Sequence, residues 1–411
     1  MKIGFFSDSY FPQVSGVSTS IKLLKDQLEA QGHEVVIFTT TDPNAQMERN
    51  IVRLPSIPFV SFEDRRIAYA GFDKCLKLAK AEHFDVIHTH TEFSLGLAGK
   101  YVASRLKIPA VHTYHTMYEH YTHYILNGNL VQPKHARTFS RIFCNHADHV
   151  ITPSQTTAQC LKEYGVSVPI HVVPTGVKIP EISLDDYKLN RYEMRTKLGL
   201  SENDWVLLSL SRLSKEKQIN QVIAAFPEIQ KAIPQAYLVI VGDGPHRQEL
   251  EEMAETLGIE RIKFIGEIPY ESVSRYYQMA DLYVNASESE TQGLTFLESW
   301  VNLLPVIAKR NDFLTNLLQT ESFGALYESV NQLAETVIQY SKLKQHGKIP
   351  LIQSKDLFNI SVEKFGRDIE EVYQEMIVNY DDKPRTLKTF ERFQQTMIEF
   401  VREVMIGQDH M

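Results

Sequence analysis

The sequence predicts an α/β protein built from two successive parallel-sheet halves. Short apolar runs of strand length alternate with amphipathic helical patterns along the chain, as in a parallel sheet with crossover helices. The 411 residues exceed one ordinary domain, and a hydrophobic content of 43% is enough for large cores. A stretch with little apolar periodicity, Lys178 to Arg191, is interpreted as the linker between the halves.

The first half opens as a Rossmann-like unit. Its first helix, Val17 to Ala30, turns Ile21, Leu24 and Leu28 to one face. Gly16 precedes this helix without a Gly-x-Gly-x-x-Gly pattern, which argues against a nicotinamide or flavin cofactor and leaves a plain turn glycine as the alternative. The strands predicted in this half are Ile3–Phe6, Val35–Phe38, Val86–His88, Ala110–His112 and His149–Thr152.

The second half repeats the strand and helix alternation and ends in a helical tail. Its predicted strands are Val206–Leu210, Tyr237–Val241, Ile262–Ile265, Leu282–Val284 and Val306–Ala308. Gly242 and Gly244 follow the second of these strands, where a turn explains them as well as a ligand does. From Ser361 to Gly407 the pattern is helical, with an interruption near Asp381 to Pro384.

The composition and charge of the chain limit where in the cell it is expected and which charged partners it could bind. No apolar run approaches the ~18 residues of a membrane span, and Asp8 interrupts any signal-like core, so the chain is expected in the cytosol. Three widely spaced cysteines are expected to be reduced. Residues 1–178 hold 18 Lys and Arg against 15 Asp and Glu, net +3, whereas the remainder is net −11. A basic first half suits an anionic membrane, and no nucleic acid partner is expected.

The most informative motif surrounds Gly293. Glu290 and Glu298 flank this glycine at the start of an apolar helix, after the predicted strand 282–284. Backbone N–H groups of Gly293, Leu294 and Thr295 would face an anion at a helix N-terminus, at the strand end where open parallel sheets bind ligands. Carboxylates accept hydrogen bonds from hydroxyl groups, so the motif predicts a nucleotide-sugar site. The alternative is that both acids are solvated helix-start charges.

Two cations support the sugar-nucleotide interpretation. Arg212 and Lys217 follow the strand Val206–Leu210, so they stand at another strand end of the same half. Both could hold a diphosphate while its negative charge grows on departure. A solvated Lys-rich turn is the alternative interpretation.

On these residues the chain resembles the retaining glycosyltransferases of family four, which have the two-domain GT-B fold. The resemblance implies two Rossmann-like domains facing across a cleft, at 1–178 and 190–384, with a C-terminal helix of about 385–411 crossing back to the first. It implies that Arg212 and Lys217 hold the pyrophosphate, Glu298 the ribose and Glu290 the transferred sugar. Gly16 would let backbone approach phosphate, and His115 would lie beside the reacting face of the sugar. Many members have Phe-Gly at Gln292-Gly293 and Lys-Gly at Lys217-Gln218, departures that remove no charged group.

A closer resemblance is to bacterial glycolipid synthases that glucosylate diacylglycerol. It is carried by 7–17, 88–96 and 114–124. It implies transfer of glucose from UDP-glucose to the 3-hydroxyl of 1,2-diacylglycerol with retention, by an enzyme peripheral to the inner face of the cell membrane in anionic lipid. Open alternatives are a second-sugar transferase acting on monoglucosyl-diacylglycerol, a family-four enzyme with a non-lipid acceptor, a glycoside hydrolase, and a non-catalytic subunit of the same fold.

Candidate acceptor or membrane residues lie in the first half. Lys134, Arg137 and Arg141 alternate with Phe139, Ile142 and Phe143, a pattern typical of an interfacial helix but also of an ordinary amphipathic one. Tyr118 and Tyr121 belong to an aromatic run that suits a lipid-facing surface.

Histidines are the candidate metal ligands in the sequence. His88 with His90, or His115 with His120 and His123, could bind an ion, but no carboxylate arrangement or Asp-x-Asp at a strand end accompanies them. We therefore expect no obligatory metal; a divalent ion would at most stimulate activity.

Overall fold

The computed structural model describes residues 1–59, 62–119, 132–181, 183–287, 293–311, 314–315, 318, 320–380 and 391–396. The chain divides into two compact units. The first comprises Met1–Gly176 with the chain from Val362 onward, and the second comprises Val177–Ser361. Each has its own parallel sheet, so the predicted two-domain α/β class is confirmed.

The first unit is built on a parallel sheet in the order β3-β2-β1-β6-β7-β8-β9, seven strands within the described residues. Its strands, with the antiparallel pair β4 and β5, are β1 Lys2–Phe6, β2 Glu34–Thr40, β3 Ile51–Leu54, β4 Ser56–Phe59, β5 Phe62–Ala68, β6 Val86–Thr89, β7 Ala110–Thr113, β8 His149–Thr152 and β9 Ile170–Val172. Its early helices are α1 Gly16–Ala30, α2 Phe72–Glu82, α3 Ser94–Leu106, α4 Pro133–Cys144 and α5 Gln155–Glu163.

The second unit is built on a parallel sheet in the order β12-β11-β10-β13-β14-β15, six strands within the described residues. Its strands are β10 Trp205–Leu210, β11 Ala236–Val241, β12 Ile262–Phe264, β13 Leu282–Asn285, β14 Val306–Lys309 and β15 Gly324–Tyr327. Its helices are α6 Leu184–Lys197, α7 Ile219–Ala232, α8 Arg247–Thr256, α9 Val273–Met279, α10 Leu294–Val301, α11 Val330–Gln345 and α12 Ser354–Leu357. Helix α13, Val362–Val378, belongs to the first unit.

Both sheets are buried on their two faces, as continuous apolar strands require. In β1, Ile3 and Phe5 pack with Ile21 of α1, whereas Phe6 packs on the opposite face. In β10, Val206 and Leu208 lie on one face and Leu207 on the other. This period of two follows from the alternation of side chains along a strand.

The expected linker contains a helix. Helix α6 covers much of the stretch that the sequence predicts as linker. The sequence pattern did not indicate this helix, because ion pairs rather than an apolar stripe hold it in place. Arg191 and Arg195 donate to the two carboxylate oxygens of Asp281 at 2.6 and 2.7 Å. Charge pairing of this kind leaves little hydrophobic periodicity in the sequence.

The chain returns to the first unit earlier than expected. The sequence placed residues up to 384 in the second domain, but α13 packs on the first sheet, with Ile369 and Val372 in one cluster with Ile3 and Ile21. Further on, residues 391–396 are helical, and Phe393 is fully buried with its ring centroid 6.2 Å from that of Phe143. Among the helices of the described ranges, none has the length and apolar character needed to cross a bilayer.

Candidate functional site

The turn after β10 presents the predicted cations. Arg212 is exposed in this turn, and Lys217 closes a short 3₁₀ turn, Lys215–Lys217. The next residue, Gln218, has φ of 53°, a left-handed conformation that costs a non-glycine residue free energy. This explains physically why a glycine suits the position that many family members give it.

The β10 turn is held by the turn after β11. The Leu213 amide donates to the Asp243 carbonyl at 2.9 Å. Gly242 has φ of 127°, and a Cβ there would stand 1.9 Å from the Ser211 carbonyl oxygen. The glycines at 242 and 244 are therefore explained by close packing on the turn that carries Arg212.

The turn after β13 lies beside the same cations. Strands β10 and β13 are neighbours in the sheet, and the Ser287 hydroxyl donates to the Glu216 carbonyl at 3.4 Å. Asn285 fixes the start of this turn by accepting from the Ser287 amide at 2.7 Å. The two strand ends that the sequence singled out are therefore joined directly within the second unit.

Helix α10 is the next element of the chain after β13. Its N-cap is Gly293, with φ of 63°, and a Cβ there would approach the Phe296 ring to 2.4 Å. Glycine has no side chain with which to cap the helix, so the amides of Leu294 and Thr295 form an N-terminus suited to an anion. The Thr295 hydroxyl is buried and has no hydrogen-bond partner among the described residues.

Glu298 lies one turn into α10 among phenols. The Tyr277 hydroxyl donates to Glu298 Oε2 at 3.2 Å. Burial raises the pKa of Glu298 to about 7, and the hydrogen bond from Tyr277 partly offsets that rise. The carboxylate thus ionises near neutral pH. Its predicted companion Glu290 lies outside the described residues.

In the first unit, Gly16 is the first residue of α1. The Ser15 side chain caps that helix by accepting from the Ser18 amide at 3.1 Å, and the Ser18 hydroxyl bonds back to the Ser15 amide. Gly16 itself is exposed. It therefore lies at an exposed helix start, and a backbone approach to phosphate at Gly16 stays a prediction.

His115 ends a column of histidines. It follows β7, and its Nε2 lies 3.2 Å from Nδ1 of His90. The His90 ring in turn stacks on His88 with centroids 4.0 Å apart. Burial, with the nearby His112, lowers the pKa of His115 to about 3. His115 is therefore a neutral hydrogen-bonding group at physiological pH.

The other end of this histidine column, His88, is held by two hydroxyl groups. His88 contacts the Tyr373 hydroxyl of α13 and the Thr113 hydroxyl, each at 2.6 Å, which occupies both of its ring nitrogens. His90 keeps Nε2 buried without a hydrogen-bond partner among the described residues. The pair His88 and His90 therefore offers no chelate, and His120 and His123 lie outside the described residues.

Two buried acids near the strand ends were missed from sequence. Asp8 follows β1 and accepts from the Thr91 hydroxyl at 2.7 Å, from the Ser94 hydroxyl and from the Leu95 amide. Burial still leaves the pKa of Asp8 raised. Glu92 accepts from the Tyr118 hydroxyl, and its other oxygen lies 3.2 Å from His112. The sequence feature that could have indicated these two acids is the polar residues directly after β1 and β6.

Not all the acceptor candidates are on the surface. Lys134, Arg137 and Arg141 are exposed on α4, and Arg137 pairs with Glu119 at 2.7 Å. Phe143, in contrast, is fully buried, so the apolar face of α4 packs inward. Tyr118 is also buried, which removes it from a lipid-facing surface, and Tyr121 lies outside the described residues.

Comparison with known proteins connects both units to one family. The Glycosyltransferase Family 4 profile matches residues 14–179, and the Glycosyl transferases group 1 profile matches residues 190–349. An alpha-monoglucosyldiacylglycerol synthase of Streptococcus pneumoniae is 45% identical over 92% of this chain and 87% of its own length. A protein of the same name from Acholeplasma laidlawii is 30% identical over 90% of this chain and 94% of its own.

Solved structures give the same fold. HepE of Anabaena, crystallised with UDP and glucose, superposes with a TM-score of 0.72 at 19% identity, covering 91% of this chain and all of that one. Sucrose-phosphate synthase of Thermosynechococcus elongatus superposes with a TM-score of 0.64 at 21% identity, covering 97% and 99%. With a parallel sheet in each unit, family profiles that match both units and a relative that is 45% identical over 92% of this chain, the chain belongs to the family-four glycosyltransferases of the GT-B fold.

Proposed function

We propose that this protein transfers glucose from UDP-glucose to the 3-hydroxyl of 1,2-diacylglycerol with retention, giving α-monoglucosyl-diacylglycerol. The observation that carries the proposal is the 45% identity with the alpha-monoglucosyldiacylglycerol synthase of Streptococcus pneumoniae, which extends over 387 residues and so includes both units. The name of the Acholeplasma laidlawii relative gives the same product. The choice of UDP is supported by its presence in the HepE complex.

The second unit would bind the donor. Arg212 and Lys217 would neutralise the pyrophosphate, and the amides of Leu294 and Thr295 would add hydrogen bonds from the start of α10. Ionised Glu298 would accept hydrogen bonds from the ribose hydroxyls. The hydrogen bond from the Tyr277 hydroxyl would keep the carboxylate in position. Glu290 would contact the glucose. Protein groups thus supply positive charge where the diphosphate leaves, so no obligatory metal is proposed.

Transfer then needs no protein nucleophile. The bond between the glucose C1 and the diphosphate oxygen breaks, and the 3-hydroxyl oxygen of the acceptor bonds to C1 on the same face. The acceptor proton passes to an oxygen of the leaving diphosphate. Neutral His115 would hydrogen-bond the sugar beside its reacting carbon, which orients C1 without adding a positive charge next to the developing oxocarbenium ion.

The lipid acceptor places the reaction at a membrane. We propose peripheral binding to the inner face of the cell membrane through the exposed cations of α4, Lys134, Arg137 and Arg141. Each cation near an anionic surface contributes about 1 kcal/mol of attraction. The amphipathic helix itself does not insert, since its apolar face is occupied by the core of its own unit.

The test is product formation from radiolabelled UDP-glucose in mixed vesicles. Diacylglycerol and monoglucosyl-diacylglycerol are offered in separate reactions, with the Arg212→Ala protein as a control for background transfer. A single-hexose lipid from diacylglycerol with an α-glycosidic bond supports the proposal. Product from the glucosylated lipid alone would instead establish a second-sugar transferase, and release of free glucose without a lipid product would contradict both.

A further inference from the structure

A group of potential metal ligands lies apart from the residues assigned to transfer. Among the described residues, His149, His171 and Glu375 form the group whose ligand atoms all lie within 4.8 Å of one another. His149 is the first residue of β8, so it stands at the amino end of that strand. His115, in contrast, follows the carboxyl end of β7. The group is therefore at the opposite end of the first sheet from His115.

The sheet register brings the two histidines together. Strands β8 and β9 pair in parallel with Ile151 opposite His171. His149 is two residues before Ile151, so all three side chains point to the same face of the sheet. A diagonal pair of this kind is within reach of long side chains. The result is a distance of 2.8 Å between His149 Nδ1 and His171 Nε2, with the ring planes 13° apart.

Helix α13 supplies the carboxylate. The face that carries His149 is the one that α13 covers, since Ile151 shares a hydrophobic cluster with Val372 and Met376. Glu375 stands directly before Met376 on this helix, and its side chain is exposed. Three ligands thus come from three elements, of which one is the helix that returns to the first unit after the second is complete.

The chemistry favours one class of ion. Two imidazole nitrogens and one carboxylate oxygen are ligands that zinc and similar divalent transition metals prefer, whereas calcium and magnesium prefer oxygen alone. Imidazole must be neutral to bind a metal.

We propose that His149, His171 and Glu375 form a binding site for a divalent transition metal ion of the zinc class. The ion replaces the direct contact between the two rings, which open slightly to bring each nitrogen to a bond length of about 2.0–2.1 Å. Water completes the coordination on the exposed side. The bound ion links β8 and β9 to α13, and its role is to fix the returning helix on the first sheet.

Zinc binding by the full-length chain tests the proposal directly. The protein is prepared without an affinity tag, stripped with a chelator and titrated with Zn²⁺ by calorimetry, and Co²⁺ is used in parallel for its visible absorption. We expect one ion per chain. Binding should weaken at least tenfold in His171→Ala and in Glu375→Gln, and zinc should raise the melting temperature of the wild type more than that of either variant.

Matched controls separate this site from others on the chain. Glu371→Gln removes an exposed carboxylate from the same helix, and His346→Ala removes an exposed histidine from the second unit. Both should bind zinc as the wild type does. Glu375 is exposed, so Glu375→Gln also guards against unfolding as the cause of any loss. Absence of zinc binding by the wild type, or binding by Glu375→Gln and His171→Ala as tight as that of the wild type, would overturn the proposal.

Discussion

The Tyr277 hydroxyl donates a 3.2 Å hydrogen bond to Glu298 Oε2, which links α9 to α10 inside the second unit. The carboxylate is otherwise desolvated, and its pKa is raised to about 7. A single phenol therefore compensates part of the cost of burying this charge. We expect the ionisation state of Glu298 to make both stability and the proposed donor binding depend on pH.

Glu298→Gln should become the more stable protein at alkaline pH. Because the folded pKa lies above the ordinary value of 4.5, the carboxyl favours folding at low pH, and this contribution is lost as pH rises through about 7. Between pH 5.5 and 8.0 the wild type should lose about 2 kcal/mol of unfolding free energy relative to Glu298→Gln. Urea titrations of both proteins at the two pH values measure this, and a gap that is the same at both would contradict the raised pKa.

Donor affinity should change with pH in the opposite direction. In the proposed site the ionised carboxylate would accept hydrogen bonds from the ribose hydroxyls more strongly than the acid form, so the KM for UDP-glucose should fall as pH rises through about 7. Tyr277→Phe removes the bond that stabilises the carboxylate and should move this transition to higher pH. A KM that is independent of pH in the wild type would argue that Glu298 does not bind the ribose.

Arg212→Ala and Lys217→Ala should each cost about 2–4 kcal/mol of transition-state stabilisation, seen as a fall in kcat/KM. The reason is that both cations would face the charge that grows on the departing diphosphate. Lys215→Ala is the matched control, since it removes an exposed lysine from the same 3₁₀ turn. Equal losses in all three variants would indicate a general electrostatic effect instead of specific contacts.

Gly293→Ala should destabilise the protein and weaken donor binding. The added Cβ meets the Phe296 ring at 2.4 Å and must also accept φ of 63°. Gly258→Ala carries nearly the same φ, 65°, but meets nothing within 4 Å. The control should therefore lose only about 1–2 kcal/mol, with an added 1–3 kcal/mol in Gly293→Ala from overpacking. Denaturant unfolding of the two variants gives the difference, and equal stabilities would mean that Phe296 moves aside freely.

His115→Ala and Glu290→Ala should lower kcat, because both residues are proposed to contact the sugar during transfer. The pKa of His115 is lowered to about 3, so His115 should contribute no ionisation to the kcat profile between pH 5.5 and 8. His83→Ala, at an exposed position of the same unit, should leave kcat unchanged. A near-normal kcat in both site variants would remove these residues from the mechanism.

Local patterns predicted the sheets well because strands buried on both faces are continuous apolar runs. The strand ends also indicated that the turns after β10 and β13 would meet, and these strands are neighbours with a hydrogen bond from Ser287 to Glu216 between the turns. Helix α6 was missed because the pairing of Arg191 and Arg195 with Asp281 replaces an apolar stripe.

Contacts between distant segments could not be predicted in this way. Tyr277 reaches Glu298 only because α9 packs on α10, and Asp8 meets Ser94 only through the order of strands β1 and β6. The same holds for His88 and Tyr373, which are brought together by a helix nearly three hundred residues later in the chain. Such pairs depend on topology and register, which a single sequence leaves open.

Vesicle binding should depend on the exposed cations of α4. Replacing Lys134, Arg137 and Arg141 by Ala removes three charges, each contributing about 1 kcal/mol near an anionic surface, so affinity for vesicles rich in anionic lipid should fall up to about 100-fold. Lys74, Lys77 and Lys80 are exposed on α2 of the same unit, and their triple Ala variant changes the net charge equally. Co-sedimentation at low and high salt should show a loss confined to the α4 variant and to low salt, because added ions screen the attraction. Equal losses in both triple variants would mean that the membrane senses overall charge rather than this helix.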